Sequence, residues 1–224
     1  MRILGVDACR AGWVGVVLDG GGVAVHLAAT IAELVAPLGE LAAIGIDIPI
    51  GLPDTGRRQA DVLAYGRLGR RRSSLFLTPT RPALLAGSHA AAVAANRERT
   101  GDGVSAQAYG LRSKILEVDA WVRYVPGRVV EVHPELSFAT LAGAPLPDGK
   151  RTWAGAQHRR RLLAGAGILL ADDVGRAGRH AGVDDVLDAG AAAWSAHRVA
   201  AGTAMSLPDP PVTHADGWPA AIWA

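Results

Sequence analysis

Residues 2–17, RILGVDACRAGWVGVV, constrain the fold of this chain more than any other stretch. Residues 3–6 carry no polar interruption, the pattern of a strand covered on both faces, and such strands sit centrally in parallel or mixed sheets. Asp7 closes that strand. A carboxylate at the carboxyl end of a central strand is costly to desolvate without a cationic partner, so Asp7 reads as part of a site and not as packing. The turn 8–12 feeds a second strand at 13–18, Asp19-Gly20-Gly21-Gly22 is a hairpin signal, and 23–27 supply a third strand. The chain therefore opens as an antiparallel meander.

Thr30 can cap a helix over 31–38, with Glu33 at the capping-box spacing and Gly39 as the stop. Residues 42–48, AAIGIDI, form a fourth buried strand, and a right-handed crossover sets it parallel to the first. Gly45 precedes Asp47 by two residues as Gly5 precedes Asp7, so each carboxylate shares a sheet face with a glycine. On neighbouring strands the two carboxylates leave the same edge about 5 Å apart, a separation that suits bridging cations about 3.5–4 Å apart.

A mostly helical excursion follows at about 49–128, within a single domain over residues 1–224. Helices are expected over 58–68, 90–99 and 106–123, with a loop at 69–82. Residues 129–132 form the fifth strand, with Glu131 and His133 on one face, and Pro134-Glu135 start a short helix through 141. A Pro/Gly linker covers 142–152. A helix over 154–164 presents Arg159, Arg160 and Arg161 as a basic face. The last long helix, 184–201, opens with Asp184, Asp185 and Asp188, spaced so that at least two carboxylates point one way. Asp184 also suits an ordinary N-cap, and acids in a first turn are favoured by the helix dipole without any metal.

Half of the 224 residues are hydrophobic, yet no apolar run is long enough to span a bilayer, so no membrane is expected. The opening MRILGVDA lacks the pattern of a secretory leader and Cys9 is the only cysteine, which makes the cytoplasm the expected compartment. A net charge of +2 does not announce a nucleic-acid binder. The positive charge is almost all arginine, Lys114 and Lys150 being the only lysines. Arg70, Arg71, Arg72 and Arg81 share the 69–82 loop with Ser73, Ser74, Thr78 and Phe76. That mix offers phosphate contacts, hydroxyl donors and a stacking surface, or else a solvated charged face.

GVDACRAGWVGV, IDIPIGLP, SSLFLTPTRPAL, SAQAYGLRSKILEVD, VVEVHPELSF, HRRRLLAGAGI, DDVLDAGAAAWSA and DGWPAAIW, in this order, resemble an uncharacterised domain-of-unknown-function family of predicted RNase H-like nucleases. The resemblance implies an RNase H-like α/β fold. Its sheet would be five-stranded and mixed, with the first three strands antiparallel, flanked by helices and bearing a helical insertion between strands 4 and 5. It also implies a catalytic acidic cluster holding Mg²⁺ or Mn²⁺: Asp7 and Asp47 from strands, and Asp185 or Asp188 from the last helix. The Asp185–Ala189 segment is similar to the last helix of Holliday-junction resolvases as well. Glu131, in the family's E-V-H-P-E signature, is the better candidate for a fourth acid than Glu33 or Glu40. His133 can bind metal, assist proton transfer or hydrogen-bond Glu135.

The expected function is metal-dependent phosphodiester hydrolysis in nucleic acid, with two carboxylate-held ions activating water. Cys9 is better read as a space-filling thiol than as a nucleophile. Two other functions remain open. One is ATP-dependent phosphoryl transfer of the sugar-kinase and actin type, which begins with a similar acidic strand but needs a second such domain. The other is non-catalytic nucleic-acid binding.

Overall fold

A computed structural model describes residues 1–215 and 217–224, and of Arg70 the backbone alone. The strands and helices run β1 (Arg2–Cys9), β2 (Gly12–Asp19), β3 (Gly22–Ala28), α1 (Ile31–Val35), β4 (Ala43–Ile46), α2 (Gln59–Leu68), α3 (Arg81–Leu84), α4 (His89–Thr100), α5 (Ala106–Gly110) and α6 (Arg112–Trp121). They continue as β5 (Val129–Val132), α7 (Pro134–Ala142), α8 (Trp153–Gly165), α9 (Arg176–His180), α10 (Val183–Ala200), β6 (Ser206–Thr213) and β7 (Pro219–Trp223). The chain divides into two compact units, Met1–Ile48 with Val125–Met205 and Trp223–Ala224, and Pro49–Tyr124 with Ser206–Ile222.

The fold is α/β, with a mixed sheet in the order β3-β2-β1-β4-β5-β7-β6. The opening meander is antiparallel as expected, and β4 lies beside β1 and parallel to it, with Gly5 opposite Gly45. β5 is parallel to β4, with Glu131 opposite Ile46. The sheet holds seven strands and not the five expected. β6 escaped notice because its sequence, SLPDPPVT, contains three prolines that cannot donate to a ladder. Such a strand is tolerated at a sheet edge, which is where β6 sits.

What brings α10 onto the sheet is the absence of side chains beneath it. A Cβ on Gly5 would lie 1.9 Å from the Ala193 nitrogen and 2.2 Å from the Ala189 oxygen; one on Gly45 would lie 2.6 Å from the Ala192 oxygen. Because the register pairs these glycines, they form a flat strip on which the helix backbone rests. The helix answers with small residues at Ala189, Ala192, Ala193 and Ala196, all fully buried. Strand alternation then puts Asp7 and Asp47, two residues beyond each glycine, on the face that α10 covers. Val14, Val16, Phe138, Leu163 and Leu187 complete the apolar cluster around that helix. A Cβ on Gly15 would instead meet the side chains of Leu4 and Leu34, where α1 packs.

Local signals at helix ends were partly legible. Thr30 and Glu33 form the expected capping box, each side chain accepting from the other's backbone N–H at 3.2 Å. The start of α10 differs from expectation, since Gly182 and not Asp184 is the N-cap, and its N–H donates to Asp185 Oδ2 at 2.9 Å. The helix expected over 106–123 is divided in two at Leu111, the C-cap of α5 and the N-cap of α6. The 69–82 stretch, expected as loop, contains a 3₁₀ turn at Gly69–Ser74 and the start of α3. Arg159, expected on an exposed basic face, is fully buried because Glu135 on α7 supplies a partner.

Taken by itself, the second unit holds a small apolar cluster of Ala83, Ala92, Val104 and Ala108, with Phe76 packed against it. Asp61 accepts the Thr78 N–H at 2.7 Å, Thr78 Oγ1 accepts from Arg58 at 3.2 Å, and Asn96 Oδ1 accepts the Thr80 N–H at 2.9 Å. Among the described residues no helix is long and apolar enough to cross a membrane.

Candidate metal centre

Three carboxylates converge in the first unit. Asp7 stands near the end of β1. Asp47 follows β4, its N–H donating to the Val6 carbonyl at 2.9 Å and so continuing the parallel ladder past the strand. Asp188 descends from the second turn of α10. Each offers one oxygen, and these oxygens lie within 4.8 Å of one another. Asp7 and Asp188 are buried, at 7% and 1% exposure. Asp7 Oδ1 accepts the Ala8 N–H at 2.7 Å, which orients the carboxylate, whereas Asp188 Oδ1 has no hydrogen-bond partner among the described residues.

Burial and mutual repulsion hold these groups toward their protonated forms. Desolvation, then Asp47 and Asp188, push Asp7 well above the usual carboxylate range. Desolvation and Asp188 do the same to Asp47. Asp188 is pushed by burial up to about 6 in spite of the attraction and hydrogen bond of Lys150. The Lys150 ammonium pairs with Asp188 and lies 3.9 Å from Asp184. Burial works against its charge, yet Asp188, Asp7 and Asp47 hold its pKa above the ordinary lysine value.

The all-oxygen donor set, the convergence and the unpartnered Asp188 Oδ1 fit a hard cation of the Mg²⁺ or Mn²⁺ class. Of the last-helix acids, Asp188 belongs to the three-carboxylate group. Asp185 spends an oxygen on the Gly182 N–H, while Asp184 pairs with Lys150 and, at 3.2 Å, with Arg151. Glu131 is buried on β5, and its charge, like that of Glu135, helps raise the pKa of Asp47. Glu135 Oε1 accepts from Arg159 at 2.6 Å, and its second oxygen is buried without a hydrogen-bond partner among the described residues. His133 is buried at the N-cap of α7, its carbonyl accepting from the Ser137 N–H at 3.1 Å.

Residues of the arginine stretch fare differently from one another. Arg72 and Ser73 are exposed, and the Arg72 guanidinium lies 5.7 Å from the centroid of the Tyr65 ring. Ser74 Oγ donates to the Arg71 carbonyl at 2.7 Å. Arg81 forms a two-pronged pair with Asp119, at 2.5 and 3.0 Å, and Phe76 packs into the apolar cluster, so neither presents the open surface expected of it. The Arg70 side chain lies outside the described residues. Lys150 and Arg159 are the site-forming residues that sequence reasoning missed. The one available signal for Lys150 was its rarity as a lysine in an arginine-based chain.

Over residues 5–213, which include all three converging aspartates, the chain matches the family described as protein of unknown function (DUF429), and it belongs to that family. The chain has no match among curated proteins or solved structures.

Proposed function

We propose that this member of the DUF429 family is a metal-dependent nuclease of RNase H-like fold acting in the cytoplasm. The observation that carries the proposal is the meeting of Asp7, Asp47 and Asp188 at the ends of two parallel central strands beneath one helix. So many buried carboxylates at one point destabilise a metal-free fold, and such a cost persists where the groups serve a ligand. The family resemblance read in the motifs supplies the electrophile, a phosphodiester.

Asp7, Asp47 and Asp188 would hold Mg²⁺ or Mn²⁺. When bound, the cation lowers the pKa of water and offsets charge developing on a phosphoryl group. The protein's own contribution is positional. The Ala8 N–H fixes the Asp7 carboxylate, the β1–β4 ladder fixes Asp47, and the glycine strip sets the depth of α10 and hence of Asp188. Hydrolysis adds water across one P–O bond, giving a phosphomonoester and an alcohol, and needs no covalent enzyme intermediate. Arg71, Arg72 and Ser73 are the proposed backbone-contacting residues of the second unit.

The test is a panel of labelled RNA, DNA, hybrid and four-way-junction substrates with Mg²⁺ or Mn²⁺, run beside Asp7→Asn and an ATPase readout. Metal-dependent cleavage lost in Asp7→Asn is the expected result. ATP turnover lost in Asp7→Asn with all nucleic acids intact would overturn it in favour of phosphoryl transfer, and tight binding without turnover would favour a non-catalytic protein.

A further inference from the structure

We infer that this centre takes one divalent cation per chain and not two, Lys150 supplying the second positive charge from within the protein. The inference rests on the proposal that Asp7, Asp47 and Asp188 are metal ligands, and it concerns what else occupies their surroundings.

Lys150 is held in place by the backbone on both sides of it. The Gly149 carbonyl accepts from the Thr152 N–H at 3.0 Å and from Thr152 Oγ1 at 2.9 Å, closing a turn around Lys150. Gly155, in the first turn of α8, packs directly on that turn, where a Cβ would lie 2.0 Å from the Gly149 oxygen. Buried Arg159 donates to the Asp148 carbonyl at 3.2 Å and the Gly155 carbonyl at 3.1 Å, while its other arm pairs with Glu135. The loop that carries Lys150 is thereby fastened to both α7 and α8. From that anchor the lysine stem delivers its ammonium to Asp188, with Asp184 at 3.9 Å on the other side.

A tethered cation competes with a free one at high effective concentration, because the loop has already restricted its position. A second divalent ion at Asp188 would have to displace the Lys150 ammonium or lie beside it, like charge against like charge in a buried site. Lys150 takes one oxygen of Asp188, which leaves Oδ1, buried and without a hydrogen-bond partner among the described residues, as the oxygen Asp188 can give to a cation shared with Asp7 and Asp47.

The experiment is Mn²⁺ stoichiometry on the full chain by equilibrium dialysis with electron paramagnetic resonance counting, at pH near neutrality. Wild type should bind one Mn²⁺ that Asp7→Asn abolishes. Lys150→Met, which keeps the stem and removes the charge, should bind two, and Lys150→Arg should bind one. Two ions in wild type, with at least one lost in Asp7→Asn, would overturn the inference while leaving the metal centre standing. One ion in both wild type and Lys150→Met at equal affinity would also overturn it. Absence of Mn²⁺ binding, or binding unchanged by Asp7→Asn, would instead remove the metal proposal itself. The wild-type count decides the matter even where the Lys150→Met chain fails to fold.

Discussion

Asp188→Asn should stabilise the metal-free protein at neutral pH while disabling the metal centre. Asp188 has a folded pKa of about 6 against an ordinary value of 3.8, and that figure already includes the attraction of Lys150. Between those two values the folded state binds more protons than the unfolded chain, so stability falls as pH rises through the window. Above it the ionised side chain costs the fold about 3 kcal/mol, from about two pKa units at ~1.4 kcal/mol each. Asparagine keeps the volume and removes the charge. In EDTA near pH 7.5 the variant should therefore melt about 6 °C above wild type, taking the entropy of unfolding typical of a chain this long. Near pH 4.5 the gain should shrink to about 1 kcal/mol, since Asp188 is then mostly protonated in the folded protein. Added Mn²⁺ should raise the melting temperature of wild type and leave the variant nearly unmoved. Differential scanning calorimetry at the two pH values measures all of this. A variant no more stable than wild type near pH 7.5 would refute the account of Asp188 as a buried, undercompensated anion.

Gly5→Ala should cost about 3 kcal/mol or more in urea unfolding, because its Cβ meets the backbone of α10 and the helix must lift. Gly66→Ala, in α2 with open space around it, should instead gain about 0.5–1 kcal/mol, and equal effects at the two sites would dismiss the glycine strip. Replacing Arg71 and Arg72 together by alanine should lower the slope of log affinity against log salt for nucleic acid by about 1.5, with stability changed by less than about 0.5 kcal/mol. An unchanged slope in filter binding across a salt series would return both arginines to the role of a solvated surface.

The sequence by itself determined what depends on neighbours along the chain. The meander, the capping box at Thr30 and Glu33, and the Gly-x-Asp endings of two buried strands were all legible, because alternation and turn chemistry act within a few residues. From the same alternation it followed that Asp7 and Asp47 share a sheet face. The last helix was less tractable. Its acids at 184, 185 and 188 are all plausible on spacing, and only the seating of α10 on Gly5 and Gly45 decides that Asp188 reaches the cluster while Asp185 turns back to cap its own helix. The tertiary structure alone decided the fate of the basic residues. Arg159 reads as surface in the sequence and becomes a buried clamp because Glu135, 24 positions away, comes to meet it. Lys150 likewise meets Asp188 across 38 positions. Spacing along a strand or helix fixes direction, but the partner of a charge is set by which elements pack together, and desolvation in that packing is what turns an ordinary ion pair into a site.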